Sequence, residues 1–364
     1  MALIHGGQLQ RVAKQFNIPA EKWLDLSTGI APLSYPIPEI PKQLYQVLPQ
    51  PNIELETAAK HYYNTNSLII TNGSQAIIKF LPTLWREENK HSTTVYLPEK
   101  GYKEHALAWQ TAGFILCWYQ DSLPEITEIE ANAILVVINP NNPTGQLYQQ
   151  STLIDYQQKL AQSNGLFIID EAFIDVIEPT QSMTNLSANT LTNTNQSCLN
   201  NNDKNTLILR SFGKFFGLAG IRIGFLIGNE YWLEKFSEHL GPWQVNGPAQ
   251  FIAQKALKDK QWQIQQKQAL KTLSTHLRSL LSDNFPTKYV TKISGTYLFQ
   301  TVYFKESYDG KSNDNKKSAE NYYIALAKQG IYVRLTDDKR ALRFGIPKEQ
   351  DLERLANGLL ALNE

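Results

Sequence analysis

Lys214 stands in SFGKFFGLAGIRIG (211–224), one cation among glycines and aromatics, with Arg222 eight residues further on. Three other stretches with chemical potential follow short apolar runs, as Lys214 itself follows TLILRS. TNGSQ (71–75) comes after SLII, NPNNPTG (139–145) after AILVVI, and Asp170 closes LFIID. Singly, each has an ordinary reading: a glycine turn, an Asn-Pro turn, a strand-end Asp capping a helix, a surface lysine. Together they offer an amine, a carboxylate, a helix start able to hold an anion, and a guanidinium.

Such groups must be positioned by regular elements, and the chain supplies them. From 67 to 228 the runs SLIIT, TTVYL, FILCW, AILVVI, GLFIID, TLILRS and IRIGFLI alternate with helical patterns such as SQAIIKFLPTLW and STLIDYQQKLAQS. Alternation of this kind predicts an α/β three-layer sandwich, a mainly parallel sheet covered on both faces. In open α/β sheets, functional groups gather where strands end. After residue 243 helical periodicity prevails, followed by ISGTYLFQTVYF, GIYVRL and DLERLANGLLAL, a smaller α+β domain completed by the N-terminal segment. The expected division is 46–265 for the large domain, and 1–45 with 266–364 for the small one. Residues 178–206, rich in Asn, Thr and Ser, and KESYDGKSNDNKKS (305–318) read as polar surface excursions.

With 364 residues, 42% hydrophobic, and a formal net charge of +1, the chain can bury a large core and has no electrostatic footprint for nucleic acid. Cys117 and Cys198 make no disulfide framework, and no metal-type Cys/His spacing is present. MALIHGGQLQRVAKQF lacks the apolar run of a signal peptide, and no stretch approaches membrane-spanning length. A reduced, soluble, cytoplasmic protein is expected.

One cofactor needs the four groups gathered at the strand ends. Pyridoxal phosphate requires an amine to condense with its aldehyde, a carboxylate to keep its pyridine nitrogen protonated, and a cradle for its phosphate. Lys214, Asp170 and the Gly73–Ser74–Gln75 loop fill these roles. Arg222 adds a bidentate contact to the phosphate, and Ser211 is placed to donate to it.

At these residues the chain resembles the fold type I pyridoxal-phosphate aminotransferase family. Its lysine signature matches Ser211, Lys214, Gly217, Leu218, Gly220, Arg222 and Gly224. Its Asn-Pro-x-Asn-Pro-Thr-Gly element stands at 139–145, and Asp-Glu-Ala at 170–172. The resemblance implies that Asn142 bonds the ring hydroxyl oxygen and that Tyr102, in PEKGYKEH, stacks on the ring. It also implies a homodimer with sites at the interface. Phe173 stands where the family usually has tyrosine, and Leu48-Pro49 where a Tyr-Pro pair reaches the neighbouring subunit's phosphate site.

Within the family, HGGQLQRVAKQF, WLDLSTGIAPLSYP, LPQPNIELETAAKHYY, GPWQVNGPAQ and SGTYLF resemble threonine-phosphate decarboxylases of cobalamin biosynthesis. Ala31, where an Asn-Pro pair is usual, departs from them. The resemblance implies decarboxylation of O-phospho-L-threonine, with Arg334 and Arg343 binding the substrate's carboxylate and phosphate. It adds His5 as a lid residue, and Gly29 and Asn142 as substrate contacts. Each arginine has a plainer reading as half of a surface ion pair, and Arg340 reads as a solvated loop residue. Two other functions compete: a histidinol-phosphate or related aminotransferase with the same cofactor, and a non-catalytic binding protein on the same scaffold.

Overall fold

The computed structural model describes residues 5–177, 182–185, 205–305 and 318–362. Most of both polar excursions, 178–206 and 305–318, lies outside the described residues. The first elements are α1 (Leu9–Phe16), β1 (Leu24–Asp25), α2 (Ile53–Tyr63), β2 (Leu68–Thr71), α3 (Ser74–Glu88), β3 (Thr94–Pro98), α4 (Lys103–Thr111) and β4 (Ile115–Tyr119). Next come β5 (Ile134–Ile138), α5 (Gln150–Gln162), β6 (Leu166–Asp170), β7 (Thr206–Ser211), α6 (Phe212–Phe215), β8 (Gly224–Ile227), α7 (Glu230–Leu240) and α8 (Gly247–Lys258). The chain continues through α9 (Lys260–Asn284), β9 (Val290–Thr296), β10 (Phe299–Phe304), α10 (Ala319–Lys328), β11 (Ile331–Tyr332), β12 (Arg334–Leu335), β13 (Ala341–Gly345) and α11 (Leu352–Leu360).

These elements form two compact units, 34–142 with 146–263, and 1–33 with 143–145 and 264–364. The unit boundaries fall at 33/34 and 263/264, so that 34–45 groups with the large unit. The short segment 143–145 joins the small unit because its carbonyls are tied there. Thr301 Oγ1 donates to Pro143 O at 2.7 Å, and Ser294 Oγ to Thr144 O at 2.7 Å.

The large unit is an α/β fold on a seven-stranded sheet of order β2-β8-β7-β6-β5-β3-β4, with helices on both faces. β3, β4, β5, β6 and β7 pair in parallel, and β8 runs antiparallel to both of its neighbours. Successive side chains of a strand face opposite sides, so the burial of both sets shows two covered faces. Ile134, Val136, Leu166, Ile168, Leu207 and Leu209 pack into one core with α3, α4 and α7. The alternating residues Leu135, Val137, Phe167, Ile169 and Ile208 are equally buried on the other side. Full burial of each such side chain contributes about 1.5–3 kcal/mol, which is why these strands read as unbroken apolar runs.

Helix α3 turns Ile77, Ile78, Leu81, Leu84 and Trp85 inward at helical spacing. Asparagines start three other helices. Asn52, Asn229 and Asn246 each accept a backbone N–H of the first turn through the side chain, an arrangement worth about 1 kcal/mol apiece.

The small unit holds an antiparallel sheet of order β12-β13-β10-β9 and a parallel pair, β1 with β11. Leu273, Leu277 and Leu281, spaced four apart on α9, pack with Leu24, Leu26, Val302, Leu342 and Leu355. Among the described residues no helix is long and apolar enough to cross a membrane.

Candidate active site

In the large unit, the ends of β2, β6 and β7 open onto one cleft with about 780 Å³ of empty volume, open solvent included. Gly73, Ser74, Gln75, Tyr102, Asn142, Asp170, Ser211, Lys214 and Arg222, separated by up to 149 residues in sequence, all line it.

The turn between β2 and α3 is drawn in by Thr71 Oγ1, which donates to Gly73 O at 3.1 Å. Gly73 has φ +92°, and a Cβ there would lie 2.9 Å from Arg222 Nη2, so glycine alone lets the guanidinium come this close. The first turn of α3 carries no acidic residue. Its unpaired N–H groups and the helix dipole favour an anion at this point. Arg222 occupies the left-handed region at φ +56°, where a non-glycine residue costs about 1–3 kcal/mol. Its Nη1 donates to Ala219 O at 3.1 Å. Strain at this residue aims its side chain at the α3 start.

Asp170 is buried at the end of β6. Its Oδ1 accepts from the Ala172 N–H at 3.1 Å, and His105 Nε2 stands 3.0 Å from its Oδ2. With Asp170 as a carboxylate, the imidazole must donate from Nε2. The sequence reading missed His105. Its signal was its place in GYKEH, one helical turn past Tyr102 and therefore on the same face of α4.

Lys214 sits in α6, one short turn beyond β7, with its Nζ 5.7 Å from the centre of the Phe173 ring. Behind it, Phe212 stacks on Phe216 at 4.2 Å, and Phe216 stacks on Trp262 at 5.6 Å. Tyr102 caps the start of α4, and burial, reinforced by Glu104 and Asp170, pushes its hydroxyl well above the usual phenol range. That hydroxyl donates to Gln75 Oε1 at 3.0 Å, while Gln75 Nε2 donates to Glu104 Oε2 at 2.8 Å.

On the opposite face of the same strand ends lies an ion cluster that sequence did not reveal. Arg210 Nη1 donates to Glu171 Oε2 at 2.9 Å and to Ser182 Oγ at 3.1 Å, and Nη2 donates to Asp175 Oδ1. Its guanidinium lies 4.4 Å from the Tyr63 ring centre. Glu171 also accepts from Ser182 Oγ and the Met183 N–H. Burial raises the Glu171 carboxyl, with Arg210 opposing.

The small unit assembles a second set. Arg334 and Arg343 stand directly opposite each other across β12 and β13, a like-charge pairing that disfavours the sheet. Burial, and then Arg334, pushes Arg343 down to about 10, so it remains charged at neutral pH. Its Nη2 donates to Ser27 O at 2.6 Å. Arg334 Nη2 donates to Asp337 Oδ1 at 2.6 Å. The His5-Gly6-Gly7 segment comes to the same place: the Gly7 N–H bonds Ser27 Oγ at 2.8 Å. Half-buried His5 and buried Gly29 lie two residues from these contacts along the chain. Arg340 is exposed.

An amine, a carboxylate backed by imidazole, and a helix start faced by a guanidinium are the donor set that pyridoxal phosphate requires. The family described as aminotransferase class I and II matches residues 41–359, and the chain belongs to it: a pyridoxal-phosphate-dependent enzyme. Across its whole length the chain is 36% identical to the threonine-phosphate decarboxylase of Pseudomonas aeruginosa, covering 98% of that protein. Among solved structures, the L-threonine-O-3-phosphate decarboxylase from Porphyromonas gingivalis aligns at TM-score 0.66 and 16% identity, over 99% of this chain and 97% of that one. The histidinol-phosphate aminotransferase from Sinorhizobium meliloti, in complex with pyridoxal-5'-phosphate, aligns at TM-score 0.72 and 17% identity, over 100% and 95%.

Proposed function

We propose that the chain decarboxylates O-phospho-L-threonine, releasing carbon dioxide and (R)-1-amino-2-propanol phosphate for cobalamin biosynthesis. The full-length likeness to the Pseudomonas decarboxylase carries this reading. The opposed arginines support it, because a substrate with a carboxylate and a phosphate presents two anions to two cations.

In this reading Lys214 holds the cofactor covalently through Nζ. The α3 start (Gly73, Ser74, Gln75), Ser211 and Arg222 hold its phosphate, Asn142 its ring oxygen, and the Tyr102 ring lies against it. The bound cofactor supplies an electron sink for the bond that breaks. Asp170, oriented by His105, keeps a proton on the pyridine nitrogen. Arg334 and Arg343 would bind the substrate's carboxylate and phosphate, with His5 and Gly29 as further substrate contacts. Lys214 Nζ, released when the substrate's amine takes its place, would deliver the proton that Cα takes up when carbon dioxide leaves.

The working form is read as a cytoplasmic homodimer with domains at 46–265, and 1–45 with 266–364. Exposed Ile37, Tyr45, Val47, Leu48 and Ile53 support self-association, since exposed apolar surface marks interfaces.

Incubation with phosphothreonine alone tests the activity: carbon dioxide is expected, with no keto acid consumed. Glutamate formed from histidinol phosphate and 2-oxoglutarate, with no carbon dioxide in the first assay, overturns the reading in favour of the aminotransferase. Borohydride should fix the cofactor to Lys214, and a label on another lysine would refute that assignment.

A further inference from the structure

We propose that Glu104 is a positioning residue for the cofactor ring, acting through Gln75 to fix the hydroxyl, and hence the ring plane, of Tyr102. The inference rests on the reading that Tyr102 lies against the ring. Direction in the chain comes from chemistry. A carboxylate only accepts, so Glu104 takes the amide Nε2–H of Gln75 at 2.8 Å. That leaves Gln75 Oε1 turned towards Tyr102, whose hydroxyl must then donate, as it does at 3.0 Å. If the amide were reversed, its oxygen would face the Glu104 carboxylate, two acceptors with no hydrogen between them.

The phenol stays protonated to donate, in keeping with its upward shift. Glu104 is not among the residues lining the cleft, whereas Gln75 and Tyr102 both are. Gln75 stands in the first turn of α3, beside the anion-holding Gly73 and Ser74, and Tyr102 caps α4. A single carboxylate outside the cleft therefore couples two helix starts, the one that holds phosphate and the one that carries the stacking ring. An acidic residue in the first turn of α4 also suits that helix's dipole. The dipole does not require an amide at 2.8 Å, and the test separates the two roles.

Glu104→Ala, Glu104→Gln, Tyr102→Phe, Tyr102→Ala and the Glu104→Ala/Tyr102→Phe double variant are compared. The readouts are the pyridoxal-phosphate dissociation constant, the circular-dichroism band induced in the bound cofactor, and thermal melting of the cofactor-free protein. Glu104→Ala should weaken cofactor binding about tenfold, equal to ~1.4 kcal/mol, and reduce the induced band. Glu104→Gln, which can still accept from Gln75, should recover most of both. Tyr102→Phe should match Glu104→Ala, and the double variant should be no worse than either. Strict additivity, or an unchanged induced band in Glu104→Ala, overturns the relay. The same holds if the loss follows melting alone and Glu104→Gln fails to restore the band. If Tyr102→Ala leaves affinity and band unchanged, the stacking role of Tyr102 fails instead, and the relay falls with it.

Discussion

Replacing Arg210 with methionine removes the cation from a cluster in which Arg210 is 4%, Glu171 0% and Asp175 6% exposed. Methionine fills much of the same volume over Tyr63, so the loss is mainly electrostatic. Two buried carboxylates lose a shared guanidinium, and Ser182 Oγ loses a donor. Breaking a buried pair from one side costs ~3–5 kcal/mol, a large share of a typical total of ~5–15 kcal/mol. The pH dependence gives the cause away. The Glu171 carboxyl is already raised by burial, and loss of Arg210 raises it further. A group with a raised folded value favours the fold fully below the unfolded carboxylate pKa of about 4.3, and that contribution is lost as pH rises through the folded value. The deficit of Arg210→Met relative to the parent should therefore be full at pH 8 and clearly smaller at pH 5. Urea unfolding followed by tryptophan fluorescence measures it, since buried Trp85, Trp109 and Trp232 share this unit's core. A deficit below about 1 kcal/mol at pH 8, or an equal one at both pH values, would show that the cluster does not carry buried charge as described.

Three further outcomes are expected. His105→Phe removes the 3.0 Å partner of Asp170; a charged hydrogen bond of ~1.5–3 kcal/mol implies a fall in kcat of tenfold or more with KM little changed, checked by steady-state kinetics. Gly73→Ala puts a methyl 2.9 Å from Arg222 Nη2 at a φ of +92°, so equilibrium dialysis should show weaker cofactor binding; unchanged affinity would refute the close approach. Arg343→Ala should lower kcat/KM for phosphothreonine by at least ~1.5–3 kcal/mol, and Arg343→Lys should recover only part of it, because an ammonium lacks the guanidinium's fork.

The strands were legible because burial on both faces leaves no polar residue to interrupt them, as in AILVVI and LFIID. The direction of β8 was not legible. IRIGFLI reads like its parallel neighbours, yet residues 212–223, which lead to it from β7, hold only the short α6 and one 3-10 turn, with no helix long enough to lie along the sheet as a parallel crossover needs. Lys214, Asp170 and Gly73 could be grouped because each ends or follows a strand, and Arg222 because it stands in the same glycine-rich stretch as Lys214. His105 and Glu104 could not be linked to them, since they meet their partners, Asp170 and Gln75, only once α4 is packed in the fold. The Glu171–Arg210 cluster was hidden differently. Both residues adjoin cleft residues in sequence, but strand alternation sends their side chains to the opposite face. Arg334 and Arg343 were recognisable as cations; their cross-strand register was not.

The pairing of β2 with β8 sets a timetable for synthesis on the ribosome. Leu68–Thr71 must wait for Gly224–Ile227 to emerge before its hydrogen bonds can form, whereas β5 and β6 meet across a single helix. The sheet therefore grows outward from its centre, and its β2 edge is a late addition. The small unit waits longer still, because Leu24–Asp25 has no strand partner until Ile331–Tyr332 has been made. All the residues that line the cleft, from Gly73 to Ile223, leave the ribosome before that. The nascent chain thus holds every piece of its cofactor pocket while the apolar Leu24 and Leu26 are still uncovered, and this interval is when aggregation threatens it most.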